Sequence, residues 1–350
     1  MLYITETLPQ GLLERAANQL HEVLPGPTLI HLTGRRPQPL FASVLLHGNE
    51  DTGWLAARKL LREYASQPLP RSLSLFIGNV EAARHSQRFL DGQPDYNRIW
   101  SNATVRQGTP ERHMARQIVE AMRRRDVFAC LDIHNNTGVN PHYACVRSMD
   151  QGFLHLATLF SRTVVHFTKP DGVLVQPFSD LCPAVTVECG QPGQMYGVEH
   201  GFEYMRACLH LAEIPTHPVA EHDINLFHTV AIVKVPRDVS FSFDSDDADI
   251  QFSRNLDHFN FRELPAGTSL GRVRPGSHAR LEVRDSEDKE VSERFLRIVN
   301  DEIRTTLPVM PSMLTLSERA IRQDCLGYFM EKRSGQSLTE QQVIDPVPVG

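Results

Sequence analysis

Alternation between short apolar runs and helix-like segments is what most narrows the folds open to this chain. Over roughly the first 220 residues the apolar runs are TLIHLT (28–33), FASVLL (41–46), LSLFIG (73–78), VFACLDI (127–133), YACVR (143–147), TVVHF (163–167) and AVTVE (184–188). Several are largely continuous apolar runs, as strands buried on both faces are. Helix-like patterns fall between them. Segment 52–66 sets Trp54, Ala57, Leu60, Leu61 and Tyr64 on one side. Segment 111–125 is opened by Thr109 as N-cap and Pro110 at the first position, with Met114, Ile118 and Ala121 as its apolar stripe. Two more patterns cover 151–162 and about 197–213. Strand and helix in alternation imply an α/β fold, a sheet with helices on its faces.

After about residue 220 the pattern changes. TVAIVKVP (229–236), DIQFS (249–253), TSLGRV (268–273), ARLEVR (279–284) and CLGYFMEKR (325–333) are short strands divided by Pro, Gly and acidic turns. The expectation is an α/β domain over 1–222 and a smaller β-rich domain over 223–350. The acidic stretch 244–250 lacks the ordered spacing and glycine of a calcium loop and reads as a solvated loop. Residues from about 334 to 350 read as an extended arm.

Composition excludes some functions. Of 350 residues, 41% are hydrophobic and 22% charged, and the net charge of −6 with scattered basic residues argues against nucleic acid as a partner. No apolar stretch approaches the roughly 18–20 residues that span a bilayer, so no membrane role is expected. The N-terminus has no signal-peptide pattern. Six cysteines are widely spaced, without CxxC, and three lie in strand-like segments as small hydrophobes. A reducing, cytoplasmic setting is expected.

Chemistry-bearing residues sit where strands stop. FASVLL runs into His47, Gly48, Asn49 and Glu50; VFACLDI is followed by His134; AVTVE ends in Glu188. In open α/β sheets, ligands bind beyond the carboxyl ends of the strands. Two imidazoles and one carboxylate are a known catalytic zinc set, and a near pair joined by one distant histidine is how such a set is assembled. A His-x-x-Glu pair alone says little: His200/Glu203 lies in a helix-like stretch with no strand before it and reads as a solvated or capping pair. Asp132 and Asn135 flank His134 and can orient a ligand ring. After LSLFIG, the segment 79–100 holds Arg88, Asp91, Asp95, Asn97 and Arg98. Asparagine with arginine can grip a carboxylate, and a second arginine can meet an oxyanion beside a metal.

In order, His47-Gly48-Asn49-Glu50, then Asn79, Arg88 to Asp91 and Asp95 to Arg98, then Asp132-Ile133-His134 and Val187 to Gly190, resemble the motifs of the succinylglutamate desuccinylase/aspartoacylase family, a branch of the zinc carboxypeptidase superfamily. The resemblance is close over about 40–200 and looser beyond. It implies a zinc carboxypeptidase-like fold: a mixed central sheet with helices on both faces, plus a C-terminal β domain. It implies one Zn per chain held by His47, Glu50 and His134, with Glu188 as general base and acid. It further implies Arg88 polarising the scissile carbonyl, and Asn97 and Arg98 holding a substrate carboxylate. The implied activity is a zinc-dependent amidohydrolase, a deacylase of N-acyl amino acids or related small carboxylate-bearing amides. The alternative is a metallocarboxypeptidase acting on small peptides. The 83 residues between Glu50 and His134 favour the deacylase branch, because classical carboxypeptidases have a longer gap. Family members often self-associate, so a homo-oligomer is an open expectation. One departure bears on substrate. Many members carry an arginine about ten residues before the catalytic glutamate, for the acyl carboxylate, and 171–187 has no basic residue. An uncharged acyl group, or a different amide, therefore stands beside a succinyl or aspartyl one. Arg147 and Lys169 are the nearby cations that can substitute.

Overall fold

The protein is described from a computed structural model, which covers residues 1–101 and 108–333. The first part of the chain runs β1 (Tyr3–Thr5), β2 (Thr28–Leu32), β3 (Gly34–Val44), α1 (Thr52–Glu63), β4 (Leu69–Ile77), α2 (Val80–Arg84), α3 (Pro110–Arg124), β5 (Ala129–His134), β6 (Tyr143–Val146), α4 (Gln151–Thr158), β7 (Thr163–His166), α5 (Val175–Phe178), β8 (Ala184–Glu188) and α6 (Met195–His210). The rest runs β9 (Asn225–Lys234), β10 (Phe241–Ser242), β11 (Ile250–Phe252), β12 (Ser269–Val273), β13 (Glu282–Asp285), α7 (Ser292–Phe295), β14 (Leu296–Val299), β15 (Glu302–Thr305), β16 (Met310–Ser312), α8 (Glu318–Gln323) and β17 (Gly327–Lys332).

Twelve strands form one mixed sheet in the order β1-β2-β4-β3-β5-β8-β6-β7-β9-β17-β16, with β13 joined to β9. Its centre, β4-β3-β5-β8, is parallel, and β5 and β8 are buried at every residue. That is why these runs are largely apolar, with Asp132 and Thr186 the polar positions before their terminal His134 and Glu188: both faces are covered. On one face α1 and α6 pack together, and Gly53 brings α1 so close that a Cβ there would lie 3.0 Å from Val44 and 3.1 Å from Ile133. The other face carries α5 and the Trp100 segment. Phe178 stacks on Phe41 at 4.5 Å between ring centroids, and Trp100 meets Phe76 edge-on. The Thr109 hydroxyl accepts from Arg112 N–H at 3.3 Å, capping α3 as its sequence implies.

A second, five-stranded sheet has the order β10-β11-β12-β15-β14. Its β14–β15 hairpin turns on Asn300 and Asp301, both with positive φ, as a two-residue turn of matching twist requires. The large sheet runs on past residue 222, because β9 pairs with β7 and β17 with β9. One hydrophobic core draws on residues up to Leu226 and a second begins at Ala231. All six cysteines are unpaired. Among the described residues no helix is long and apolar enough to cross a membrane. The arm expected at 334–350 lies outside the described residues.

Candidate active site

At the end of β3 the chain turns sharply. Leu45 adopts φ 57°, a left-handed conformation that a buried leucine takes only where its surroundings enforce it. The main chain then passes against α2 so tightly that a Cβ on Gly48 would lie 2.2 Å from the Ala82 and Ala83 backbone. Glycine is the one residue that fits, and its N–H donates to the Arg88 carbonyl at 3.1 Å. This turn places His47 and Glu50 beside the ends of β5 and β8, where His134 and Glu188 are register partners.

One potential ligand atom from each of His47, Glu50 and His134 lies within 4.8 Å of the others, and all three residues are buried. His47 Nδ1 is 2.7 Å from Glu50 Oε1, and His134 Nδ1 is 2.8 Å from Glu50 Oε2. The opposite ring nitrogens are engaged too: His47 Nε2 lies 3.0 Å from Asp95 Oδ1, and His134 Nε2 lies 2.9 Å from Asp132 Oδ2. Carboxylates behind both rings and Nδ1 atoms turned inward are what a divalent ion asks of its ligands and their supports. The donor set therefore fits a metal. Asn135 acts differently from the expectation of a ring contact. Its main-chain N–H donates to Glu50 Oε2 at 3.1 Å, and its side chain ties Thr52 N–H and the Gly190 carbonyl.

Electrostatics follow from this crowding. Burial and Arg88 oppose a charge on His47, but Glu50 and Asp95 outweigh them and raise its pKa. Burial also opposes a charge on His134, which Asp132 and Glu50 nonetheless hold well above the usual range. Burial alone would raise Glu50, yet His47 and His134 pull it down. Glu188 goes the other way. Burial is the main cause, assisted by Glu50, and its carboxyl is pushed up to about 7. It is 5% exposed, and Asn136 Nδ2 donates to it at 3.4 Å.

Arg88, Asn97 and Arg98 line the same cleft. The Arg88 guanidinium lies 3.2 Å from Asp95 Oδ2 and 3.6 Å from Glu50 Oε1, and its buried Nε has no partner. Asn97 Oδ1 accepts from Leu174 N–H at 3.1 Å, and its Nδ2 lies 3.4 Å from His134 Nε2, whose proton is directed to Asp132. Asp95 was part of the quoted motif but drew no role from sequence; its place two residues before Asn97 is the signal that could have found it. Asp324 was not foreseen. It reaches in from beyond α8 and accepts from Arg98 Nη2 at 2.8 Å and Arg88 Nη2 at 3.2 Å. No local motif surrounds it.

The far wall is built from one face of β6, β7 and β8: Tyr143, Cys145, Val165 and Thr186, joined by Phe167 and Val173. Lys169 lines the cleft as well, but its ammonium is paired with Asp171. Arg147 stands behind, 3.8 Å from Asp171 and over the Phe167 ring. His200 is far from this chemistry: it stacks on Phe160 and His142 and contacts the Phe160 carbonyl, while Glu203 pairs with Arg206.

Comparison with known proteins agrees with the geometry. The chain is similar in structure to a succinylglutamate desuccinylase from Chromobacterium violaceum (18% identity, 86% of each chain covered, TM-score 0.54). It is also similar to a succinylglutamate desuccinylase/aspartoacylase from Rhodobacter sphaeroides (14% identity, 87% of this chain and 88% of that one, TM-score 0.56). A third similar structure is murine aminoacylase 3 (15% identity, 86% and 97%, TM-score 0.52). At these identities the likeness establishes the fold. No curated protein matches the chain by sequence. Residues 41–197 match the succinylglutamate desuccinylase/aspartoacylase catalytic domain, the family whose motifs the sequence resembles.

Proposed function

We propose that this protein is a zinc-dependent amidohydrolase that removes the acyl group from an N-acyl amino acid or a related small carboxylate-bearing amide. One observation carries the reading: two histidine Nδ1 atoms and the Glu50 carboxylate converge beyond the strand ends, with Glu188 next to them. His47, Glu50 and His134 would hold the ion, which when bound supplies Lewis acidity to a water and to the substrate carbonyl. Asp95 and Asp132 fix the tautomer and tilt of the two rings. Glu188 accepts the proton of the attacking water and then delivers it to the leaving nitrogen. A carboxyl poised near 7 can do both at neutral pH. Arg88, with an unused buried N–H, meets the charge developing on the carbonyl oxygen. Asn97 and Arg98 orient the amine half of the substrate. The products are a free amino compound and a carboxylic acid.

The acyl half faces Tyr143, Cys145, Val165 and Phe167, and beyond them Lys169 and Arg147 share the one carboxylate of Asp171. The apolar wall supports an uncharged acyl group; a succinyl or aspartyl one would have to draw Lys169 or Arg147 away from Asp171. In this reading residues 1–222 supply the catalytic groups and 223–350 supply part of the cleft mouth, including Asp324. The test is a panel of N-acyl amino acids and short peptides with zinc-loaded protein, read by release of free amine and repeated after chelation. Turnover of N-acyl amino acids that chelation abolishes supports the reading. Turnover of peptides alone would favour the metallocarboxypeptidase, and turnover surviving metal removal would defeat both.

A further inference from the structure

We infer that Asp324 is a specificity-determining residue, an internal carboxylate that competes with the substrate for the Arg88–Arg98 pair. The inference rests on the reading of Arg98 as a substrate-holding group and adds what that subsite prefers.

Three observations carry it. First, Asp324 makes the contacts a substrate carboxylate would make. Arg98 Nη2 donates to both its oxygens, at 2.8 and 3.1 Å, and Arg88 Nη2 reaches one of them at 3.2 Å. Second, the charge is already balanced. Two guanidiniums face the carboxylates of Asp95 and Asp324, Arg88 also lies 3.6 Å from Glu50, and Asp95 is shared with His47. An incoming carboxylate would add a further anion to two cations that already have carboxylate partners, and juxtaposed like charges are unfavourable. Third, Asp324 is held in place. Ser317 caps α8 by accepting from Ala320 N–H at 3.3 Å. Arg319 donates to Gln87 Oε1 at 2.8 Å, and Arg322 donates to the Pro236 and Val239 carbonyls. The helix that presents Asp324 is thus stapled to the loop carrying Arg88 on one side and to the end of β9 on the other. Against the upward push of burial, Arg98 and Arg88 keep its carboxyl below the usual range, so it is an anion at working pH.

Two consequences follow. A substrate carboxylate binds by taking Arg98 N–H groups from Asp324, so it gains less than it would at an open arginine pair. A neutral end, such as a carboxamide, leaves the ion pairs intact and is tolerated. The native protein should therefore distinguish little between an N-acyl amino acid and its carboxamide.

The experiment compares the zinc-loaded protein with Asp324→Asn and Asp324→Glu. Each is titrated calorimetrically with an N-acetyl amino acid and with its carboxamide, and assayed on the same pair. Removing the competing anion in Asp324→Asn should tighten the carboxylate ligand at least about 10-fold and change the carboxamide less than about 2-fold. Asp324→Glu, which restores the anion, should return the native ratio. Parallel weakening of both ligands in Asp324→Asn would overturn the inference and make Asp324 an anchor of the arginines. An unchanged ratio would overturn it as well. If the ratio moves in binding while no variant turns over either compound, the deacylase reading fails and the competition stands. If turnover is brisk and the ratio is fixed, the reverse holds.

Discussion

The two halves of the cleft are built on different principles. In the polar half, His47, Glu50, Asp95, Asp132 and His134 are cross-linked by contacts of 2.7–3.0 Å between residues up to 84 positions apart. In the apolar half, Tyr143, Cys145, Val165 and Phe167 fill space on or beside neighbouring strands and make no such network with one another. A buried network of charges depends on every member, because removing one leaves its partner unpaired in a poor dielectric. An apolar wall loses only area and shape when one residue changes. The polar half should therefore be brittle and the apolar half adjustable.

The hardest test of that contrast is His134→Ala. Bound metal, measured by atomic emission, should fall from one ion per chain to background, and turnover with it. Full metal content in this variant would remove His134 from the ligand set. Glu188→Gln should separate chemistry from metal binding. It should keep its ion while kcat falls by about 10²–10⁴, the usual worth of a general base. The same variant makes a stability prediction. The folded carboxyl is raised to about 7 from a model value of 4.5, so its ionised form is disfavoured in the fold. The protein bearing Glu188 therefore loses stability as pH rises between those values, and glutamine does not. Metal-free Glu188→Gln should melt above the native protein at pH 8 and no higher than it at pH 4. A gap that does not widen with pH would contradict the buried-carboxyl account.

Smaller effects belong to the apolar half. Val165→Phe should leave metal content unchanged and shift preference toward shorter acyl chains by several-fold in kcat/KM, since it fills space without touching the ligands. Equal losses on all chain lengths would mean that the wall does not receive the acyl group. The smallest effect is expected from Lys169→Met. Its side chain is 35% exposed and its ammonium is paired with Asp171, and such pairs contribute about 0–1 kcal/mol. KM for uncharged acyl groups should move less than about 2-fold. A large rise confined to dicarboxylic acyl substrates would show that Lys169 replaces the missing arginine.

Reading the sequence succeeded where local pattern and chemistry coincide. His134 and Glu188 each close a largely apolar run, so strand periodicity alone delivers them to the end of a sheet, and Thr109–Pro110 announce the start of α3. It failed where pattern is weak. The β14–β15 hairpin was passed over because Leu296–Val299 and Glu302–Thr305 mix charge into short strands, though Asn300–Asp301 is a turn signal. Asp95 lies inside a quoted motif, yet nothing local says that its carboxylate will sit behind the His47 ring. Asp324 follows a six-residue helix in the C-terminal part, and its partners are 226 and 236 positions away.

By itself, the sequence determined the alternating architecture and which strand ends carry histidine and glutamate. Both depend on interactions between neighbours a few residues apart, where side-chain spacing and burial are directly coupled. Only the tertiary structure decided that Asp95 and Asp132 back the two rings, that Asp324 pairs with the arginines, and that the far wall of the cleft is apolar. Those outcomes depend on which distant segments the sheet brings within hydrogen-bonding range, and an ion pair across more than two hundred residues leaves no mark on the local pattern of either end.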